Sequence, residues 1–326
     1  MSGISDSFQR PINYLRISVT DRCNLRCVYC MPAEGVGLLA HSEILTYEEI
    51  SRVVQAAAEM GISKVRVSGG EPLVRAGLVN LIRMLYQIEG IDDISLTTNG
   101  VLLKEQAAQL REAGLRRVNV SLDSLKRENF TSITGWDKLG AVLEGMEEAR
   151  RVKLEPVKVN VVVMRGYNDD ELLDFALLSK EGWHIRFIEL MPLLNGGGSM
   201  PEFVSAEEMR HRLAPLGYLE PCSAPVGVGP AKYHKLPGAS GTIGFITPVS
   251  EHFCFRCNRL RLTADGKLLP CLLSDQEIDL KRSLRKGASQ EEIGDLVVKA
   301  IAAKPEGHRV EQQLVPRNRF MTQVGG

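Results

Sequence analysis

The stretch YLRISVTDRCNLRCVYCMP, residues 14–32, joins a short alternating segment to three closely spaced cysteines. Residues 14–20 are rich in β-branched side chains and predict a strand. Cys23, Cys27 and Cys30 follow in the spacing C-x3-C-x2-C, with Tyr29 just before the last cysteine. A structural zinc site is closed by four ligands. Three thiolates therefore predict a different centre, one with an open fourth position.

Further segments of the same strand-like kind follow along the chain. They are residues 64–70, 93–100, 117–124, 157–164 and 184–192. Segments with helical periodicity lie between them, and the first of these begins with a capping box formed by Thr46 and Glu49 and ends at Gly61. Successive strand–helix units predict a parallel sheet with right-handed crossovers. The sheet is expected to be either open and doubly wound or a curved, incomplete barrel.

Chemically unusual residues cluster where these predicted strands end. The cysteines follow the first strand, and SGGEP (68–72), TTNG (97–100), SLDS (121–124) and ELMP (189–192) follow others. In barrels and in doubly wound sheets the ligand site lies at the carboxyl ends of the strands. We therefore expect the functional site at this edge.

Composition excludes several classes of protein. Forty basic and forty acidic residues give a formal net charge of zero, so no global field attracts nucleic acid or an anionic membrane. No run of 18 apolar residues predicts a transmembrane helix, and the start of the chain lacks the apolar region of a signal peptide. The expected location is the cytoplasm, where clustered cysteines indicate metal before disulfides.

A second cysteine triplet lies in HFCFRCNRLRLTADGKLLPC, residues 252–271. Its spacing is compatible with a zinc site that uses His252 as the fourth ligand to Cys254, Cys257 and Cys271. It is also compatible with a second cluster whose free iron binds a substrate. Arg259 and Arg261 lie beside these cysteines on one face of a predicted strand, as expected for phosphate binding. The seventh cysteine, Cys222, stands alone and is expected to be unligated.

Several predicted strands carry basic residues in their interior, namely Arg16, Lys64, Arg66, Lys158 and Arg186. Strands covered by helices on both faces normally expose no charged side. These charges therefore favour the inner face of an open barrel that binds a polyphosphate. The strand–helix pattern of the chain ends after Pro192. We therefore expect a division into residues 1–195, the partial barrel, and residues 196–326, a C-terminal region.

The first triplet together with SGGEP resembles the radical S-adenosylmethionine superfamily. The stretches VNVSLDSL, VKVNVVVM and RFIELMP, the second triplet followed by NRLR, and the terminal Gly-Gly resemble the GTP 3′,8-cyclase family of molybdenum-cofactor biosynthesis nearly end to end. The resemblance implies an α/β fold, an incomplete (β/α)6 barrel whose open side is closed by the C-terminal region. It also implies two [4Fe–4S] clusters and S-adenosylmethionine as cofactors.

The family pattern assigns roles to positions of this chain. They are Cys23, Cys27 and Cys30 for the first cluster; Cys254, Cys257 and Cys271 for the second; Tyr29, Gly70, Ser121 and Met191 for S-adenosylmethionine; and Arg16, Arg66, Thr97, Lys158, Arg259, Leu260 and Arg261 for GTP. Lys64 and Arg186 match the phosphate-binding positions less closely. The resemblance also implies catalytic roles for Arg16, Arg259, Arg261, Gly325 and Gly326.

The implied reaction is that of a lyase. An adenosyl radical removes the C3′ hydrogen of GTP, C3′ attacks C8 of guanine, and reduction gives (8S)-3′,8-cyclo-7,8-dihydroguanosine 5′-triphosphate. The implied partners are an external one-electron reductant and the cyclic pyranopterin monophosphate synthase that receives the product, without nucleic acid or membrane. A homodimer is compatible with the sequence but is not fixed by it.

Two other functions remain open at this stage. A peptide-modifying radical enzyme would also carry an auxiliary cluster, although more C-terminal cysteines and no arginine pair are expected there. A zinc-binding regulatory or scaffold protein on a degenerate barrel is the alternative outside enzymes.

The tail FMTQVGG (320–326) is either a frayed terminus or, as the resemblance implies, a segment that enters the barrel, with Arg317 and Arg319 docking it by charge.

Metal analysis separates these possibilities. If both triplets bind four-iron clusters, anaerobic reconstitution should give about eight iron atoms per chain. Replacing His252 with alanine should leave a three-thiolate cluster almost unchanged but should weaken a zinc site. Iron near four together with one tightly held zinc would refute the assignment of two clusters.

Overall fold

The computed structural model describes residues 4–32, 35–191, 201–227, 229–308 and 319–325. The loop at 193–200, where the sequence suggested a division, lies outside these ranges, as do Arg317 and Gly326. The strands are β1 (Tyr14–Ser18), β2 (Lys64–Ser68), β3 (Asp93–Thr98), β4 (Arg117–Ser121), β5 (Lys158–Arg165), β6 (His184–Glu189), β7 (Glu202–Phe203), β8 (Glu220–Pro221), β9 (Lys232–Lys235), β10 (Thr242–Ile246), β11 (Arg259–Leu262), β12 (Lys267–Leu269) and β13 (Ile278–Asp279).

The helices pack on the outer face of the sheet, except for the last one, which lies against the cavity on its inner face. They are α1 (Tyr47–Glu59), α2 (Leu78–Tyr86), α3 (Leu103–Glu112), α4 (Arg127–Thr134), α5 (Leu139–Arg151), α6 (Leu172–Leu177), α7 (Ala206–Leu213), α8 (Lys281–Arg285), α9 (Gln290–Ala302) and α10 (Met321–Val324). The predicted capping box is present at α1, where Thr46 Oγ1 accepts from the backbone N–H of Glu49 at 3.1 Å. The Glu49 carboxylate in turn accepts from the Thr46 N–H at 2.8 Å.

The alternation of side chains along each strand decides which face is buried. In β1, Leu15 and Ile17 are almost fully buried and belong to the main hydrophobic core. Arg16 and Ser18 point the other way, because successive residues of a strand face opposite sides. The same alternation in β2 places Arg66 and Ser68 on the inner face. The outer face therefore packs against helices, and the inner face encloses a polar interior.

The six predicted strands are confirmed as parallel neighbours in chain order. The C-terminal region extends this sheet at both edges, since β11 pairs in parallel with β1 and β10 pairs in parallel with β6. The full order is β13-β12-β11-β1-β2-β3-β4-β5-β6-β10-β9-β8, with β7 on β5. Over the described residues β10 and β11 are not paired, so the barrel is incomplete, as expected. Residues 247–258 connect its two edges and carry Cys254 and Cys257.

Glu189, at the end of β6, fastens the C-terminal region to the barrel. Its carboxylate accepts from the backbone N–H of Ala206 at 2.9 Å, which is the first residue of α7. It also accepts from the N–H groups of Val249 and Ser250 at 3.1 and 3.0 Å. Glu189 is 1% exposed, and a buried carboxylate requires such bonds. One side chain thus joins a barrel strand to α7 and to the segment leading to the second triplet.

The sequence of residues 276–303 predicts helical structure, which is correct for α8 and α9 but wrong at the start of the segment. Ile278 and Asp279 form β13, which pairs with β12. The pairing with β12 joins two separate segments of the chain, and a local sequence pattern does not reveal such a contact. Within the described ranges, no helix combines the length and apolar character needed to cross a membrane.

Candidate active site

A large cavity lies inside the curved sheet and reaches the carboxyl ends of its strands. Its lining includes all six cysteines of the two triplets. Residues from SGGEP, TTNG and SLDS also line it, among them Gly70, Thr97 and Ser121. The sequence-based expectation that these segments meet at one edge of the sheet is therefore correct. Both sulfur sets face a common chamber.

The loop that carries the first triplet is held by backbone hydrogen bonds on two sides. The N–H of Gly70 donates to the carbonyl of Thr20 at 2.7 Å, and that of Glu71 donates to Arg22 at 2.8 Å. The N–H of Arg26 donates to the carbonyl of Thr134 at 2.8 Å. A Cβ atom at Gly70 would lie 2.5 Å from the carbonyl oxygen of Arg22. The glycine motif thus makes room for the cysteine loop as well as lining the cavity.

Burial controls the ionisation of the first triplet. It raises the pKa of Cys30 to about 12, with Cys23 and Asp123 adding to the shift. It also raises the pKa of Cys27 well above its usual range, again with help from neighbouring cysteines. Thiolates bind metals and thiols do not. These sulfurs therefore suit a cationic centre that compensates three negative charges at once.

The second triplet lies among cations. Although burial by itself raises the pKa of the Cys257 thiol, Arg259 and Lys304 outweigh it and lower that pKa to about 6. Lys304 donates to Cys257 Sγ at 3.6 Å. Cys254 follows the opposite trend, since burial raises its pKa. The two triplets thus share a cavity but differ in their electrostatic surroundings.

In the described part of the chain, no group of three or more His, Cys, Asp or Glu side chains has the spacing to hold one metal ion. A four-iron cluster is held by thiolates on different irons, so its ligands stand farther apart than those of a single ion. His252, the fourth ligand of the zinc alternative, packs edge-on against His308 with ring centroids 5.5 Å apart.

Strand register places three arginines side by side across the inner face. Arg16 is the Cα partner of Arg261 on β11 and of Arg66 on β2. Burial and the nearby Arg259 together lower the pKa of Arg261 to about 10. Burial and Arg261 likewise lower the pKa of Arg16. We call Arg16, Arg66 and Arg261 the arginine row.

The described hydrogen-bond acceptors of Arg66, Arg261 and Arg186 are neutral. Arg66 donates to Ser95 Oγ at 3.3 Å, and Arg261 donates to the carbonyl of Gly325 at 2.5 Å. Arg186, on β6, donates to Asn119 Oδ1 at 2.5 Å. Neutral acceptors leave the formal charge uncompensated, and a buried charge is costly without a counter-charge. The cavity is therefore suited to an anion.

Several buried polar atoms in the cavity wall have no hydrogen-bond partner among the described residues. They are Ser68 Oγ, Thr97 Oγ1, Asn160 Oδ1, Arg186 Nε and Thr322 Oγ1. Buried polar groups are normally satisfied, and exceptions call for a ligand or water. These atoms lie on β2, β3, β5, β6 and α10. They offer donors and acceptors to a polar molecule from several directions.

A hydrogen bond connects Tyr29 of the first triplet to the SLDS segment. The Tyr29 hydroxyl donates to Asp123 Oδ2 at 2.7 Å, and Asp123 Oδ1 accepts from the backbone N–H of Val162 at 2.8 Å. Burial raises the pKa of Asp123 to about 6. Asp123 therefore fixes the aromatic side chain that precedes Cys30.

Two of the predicted basic residues lie at the opposite, amino ends of their strands. Lys64 begins β2 and pairs with Asp92 at 3.4 Å, in a separate cleft. Lys158 begins β5 and donates to the carbonyl of Val226 at 2.6 Å. Burial, reinforced by Arg186, lowers the pKa of Lys158 to about 6. Neither is part of the cavity lining described above.

Family comparisons agree with this geometry. The model of the Radical SAM superfamily matches residues 17–178, and the model named Molybdenum Cofactor Synthesis C matches residues 183–310. The GTP 3′,8-cyclase of Desulforamulus reducens is 54% identical over 324 residues, which cover 98% of this chain and 99% of that protein. The GTP 3′,8-cyclase of Pelotomaculum thermopropionicum is 53% identical over 326 residues, 99% of this chain and 100% of that protein.

The chain belongs to the GTP 3′,8-cyclase family. Membership of the radical SAM superfamily implies one [4Fe–4S] cluster and S-adenosylmethionine. The crystal structure of Streptococcus suis SuiB bound to S-adenosylmethionine shares the fold, with a TM-score of 0.60 at 14% identity over 87% of this chain and 67% of that one. At that identity the likeness concerns the fold alone.

Most positions that match the family's motifs meet in the cavity. Tyr29, Gly70, Ser121 and Met191 line it, and so do Arg16, Arg66, Thr97, Arg259 and Arg261. Leu260 does not, because its side chain is fully buried in the hydrophobic core on the other face of β11. Lys158 lies at the far end of the barrel, as described above. The functional roles of all these residues remain predictions.

The C-terminal tail enters the barrel of this GTP 3′,8-cyclase family member. Arg319 pairs with Asp265 at 3.0 Å and also with Glu277, and α10 follows. Gly325 has a φ of +75°, and a Cβ atom there would collide with Ser68 Oγ. Its carbonyl accepts from Arg261. Glycine is needed at this position for both its backbone angle and its packing, and the tail reaches the arginine row.

Three residues near the site escaped the sequence analysis. Asp123 lies in a quoted segment but carried no assigned role, and Asn99 donates to Asn24 Oδ1 at 2.8 Å beside the first triplet. Lys304 lies far along the chain from the cysteines that it contacts. For Asp123 and Asn99 the position at a strand end was an available signal. No local pattern distinguishes Lys304 from other lysines that follow a helix.

Removing the tail contact tests its role. Deleting Gly325 and Gly326 should lower formation of cyclised product by roughly 100-fold, because small misplacements of reacting groups have effects of that size. Iron content and GTP affinity should stay nearly unchanged, while uncoupled cleavage of S-adenosylmethionine continues. The product is measured by chromatography and mass spectrometry.

Arg319→Met provides a matched second variant, since it removes the anchor of the tail at a point outside the cavity. It should reproduce the effect of the deletion. An unchanged cyclisation rate in the deletion variant would show that the two terminal glycines have no role in the reaction.

Proposed function

We propose that this chain converts GTP to (8S)-3′,8-cyclo-7,8-dihydroguanosine 5′-triphosphate in the first step of molybdenum-cofactor biosynthesis. The observation that carries the proposal is the arginine row beside two cysteine triplets on one cavity. A polyphosphate supplies negative charge to Arg66 and Arg261, whose described hydrogen-bond acceptors are neutral. A radical cofactor supplies chemistry that thiolate-bound iron supports.

Cys23, Cys27 and Cys30 would hold the first cluster, with S-adenosylmethionine against Tyr29, Gly70, Ser121 and Met191. The donor set fits, because three cysteine thiols leave one iron of a four-iron cluster without a protein ligand. When bound, this group supplies the electron that cleaves S-adenosylmethionine to the adenosyl radical that removes the C3′ hydrogen of GTP. The chain itself fixes the loop through Gly70 and Glu71 and orients Tyr29 through Asp123.

A second [4Fe–4S] cluster would be held by Cys254, Cys257 and Cys271. Support comes from the place of this triplet on the same cavity as the first one. Lys304 and Arg259 offset the negative charge of thiolate ligands there. The open position would face the interior, where a purine can bind it.

The arginine row and Arg259 would hold GTP. Guanidinium groups bind phosphate oxygens in pairs, and Ser68, Thr97 and Asn160 offer unpaired polar atoms to the ribose and base. Lys158, at the amino end of β5, would meet the outermost phosphates if the nucleotide extends along the barrel axis. Gly325 would then limit how the ribose lies against the adenosyl group. Catalytic roles are thus proposed for Arg16, Arg259, Arg261, Gly325 and the adjacent Gly326.

Further proposals concern the surroundings of the reaction. An external one-electron reductant serves the first cluster, and the product passes to the cyclic pyranopterin monophosphate synthase. The reaction takes place in the cytoplasm without nucleic acid. Residues 1–195 supply the partial barrel and the first cluster, and residues 196–326 supply the second cluster, the arginines of β11 and the tail. Assembly as a homodimer is a separate proposal.

The direct test is anaerobic incubation of the reconstituted protein with GTP, S-adenosylmethionine and a reductant. We expect 5′-deoxyadenosine and cyclised GTP in equal amounts. Arg66→Ala and Arg259→Ala should weaken GTP binding by about 10- to 100-fold, which corresponds to the roughly 1.5–3 kcal/mol of a charge-assisted hydrogen bond. Affinity for S-adenosylmethionine should not change.

Arg151→Ala is the matched control, because this arginine is exposed on α5 and its ion pair among the described residues is with its neighbour Glu148. It should bind GTP like the unaltered protein. Normal GTP affinity in both Arg66→Ala and Arg259→Ala would refute the proposed nucleotide site.

A further inference from the structure

Lys304 is a buried cation that contacts the second cysteine triplet. It follows α9 and is 4% exposed. Its ammonium group donates to the carbonyl of Arg259 at 2.8 Å, to the carbonyl of Pro270 at 2.9 Å, and to Cys257 Sγ at 3.6 Å. An ammonium group has three N–H donors and a neutral amine has two. Three acceptors therefore match the charged form.

The two carbonyl groups belong to different segments that carry cysteines. Arg259 lies two residues after Cys257, and Pro270 directly precedes Cys271. One ammonium group thus holds two ligand-bearing segments together. Its third bond goes to a sulfur atom itself.

Arg10 is a second buried cation beside the second triplet, and its hydrogen-bond partners differ from those of Lys304. It donates to the carbonyls of Cys254 at 2.7 Å, Glu306 at 2.7 Å and Pro305 at 2.6 Å. Its charge is paired with Asp6 at 2.6 Å. Lys304 has two carbonyls and one sulfur as hydrogen-bond partners in the described structure, with no carboxylate among them. Its counter-charge must come from the thiolate side.

We propose that Lys304 is a positioning residue for the second cluster, which it makes easier to reduce through a charged N–H···S bond to Cys257. The proposal rests on the proposed presence of that cluster. Hydrogen bonds to ligand sulfurs and nearby charge are established determinants of cluster potential. A positive charge stabilises the reduced cluster, since reduction adds a negative charge.

The test isolates the second cluster in the full-length chain. Cys23, Cys27 and Cys30 are replaced together with serine, the protein is reconstituted anaerobically, and the midpoint potential is measured by redox titration followed by electron paramagnetic resonance. Lys304→Met should disfavour the reduced form at least tenfold, which for one electron is a shift of about 59 mV to more negative potential. Lys304→Arg retains the charge and should restore most of the potential.

Arg10→Met is the matched control. It loosens a neighbouring part of the second-triplet region, but the charge that it removes is already paired with Asp6 and, among the described contacts, donates to no sulfur. It should lower the melting temperature of the protein with a clearly smaller shift in potential. An equal shift in Arg10→Met, or an unchanged potential in Lys304→Met with its cluster intact, would overturn the proposal.

Loss of the cluster is also informative. If Lys304→Met and Lys304→Gln fail to bind iron while Lys304→Arg binds it, the charge is needed to hold the cluster, which supports the proposal. If Lys304→Arg also fails, the role of Lys304 is steric and the proposal is wrong. If the triple serine protein with intact Lys304 binds no iron–sulfur cluster, the second-cluster assignment itself fails, and this outcome is distinguishable from the others.

Discussion

Three guanidinium groups held side by side by strand register are the constraint on which the interior depends. Adjacent strands are spaced about 4.8 Å apart, and Arg261, Arg16 and Arg66 occupy matching positions on β11, β1 and β2. Like charges directly opposite in a sheet are destabilising. The fold keeps them because the barrel is open inside, and a bound anion can offset their repulsion.

The same register explains why the C-terminal region cannot be separated from the barrel. β11 brings Arg261 to the edge of β1, and β10 lies at the other edge beside β6. The segment between them must cross the open side, and it carries Cys254 and Cys257. The positive charge of the interior, the position of the second triplet and the closure of the barrel thus follow from one arrangement of strands. Glu189 stabilises it by accepting hydrogen bonds from backbone N–H groups of α7 and of the crossing segment.

Much of this could be predicted from the sequence because its signals are local. The six strands, the capping box at Thr46 and the first triplet each lie within a few residues, and the second triplet lies within residues 254–271. The opposite faces of Arg16 and Leu15 follow from alternation alone. The inward position of Arg66 was likewise expected from its strand.

Other features could not be predicted, since they depend on pairing between distant segments. No pattern near Arg261 sets its register against Arg16, and none brings Lys304 to Cys257. The position of Lys158 could not be predicted for a different reason. Alternation along a strand gives the face on which a side chain lies but not the end of the barrel at which it lies. Its contact with Val226 depends on a loop far along the chain.

The central claim is that the two cysteine triplets and the arginine row hold GTP with its C3′ hydrogen beside the adenosyl group. Incubation with GTP deuterated at C3′, followed by mass spectrometry of the 5′-deoxyadenosine formed, tests it most directly. The account predicts transfer of one deuterium to 5′-deoxyadenosine, and none from GTP deuterated at C2′. Unlabelled 5′-deoxyadenosine from the C3′-deuterated substrate, formed together with product, would contradict it.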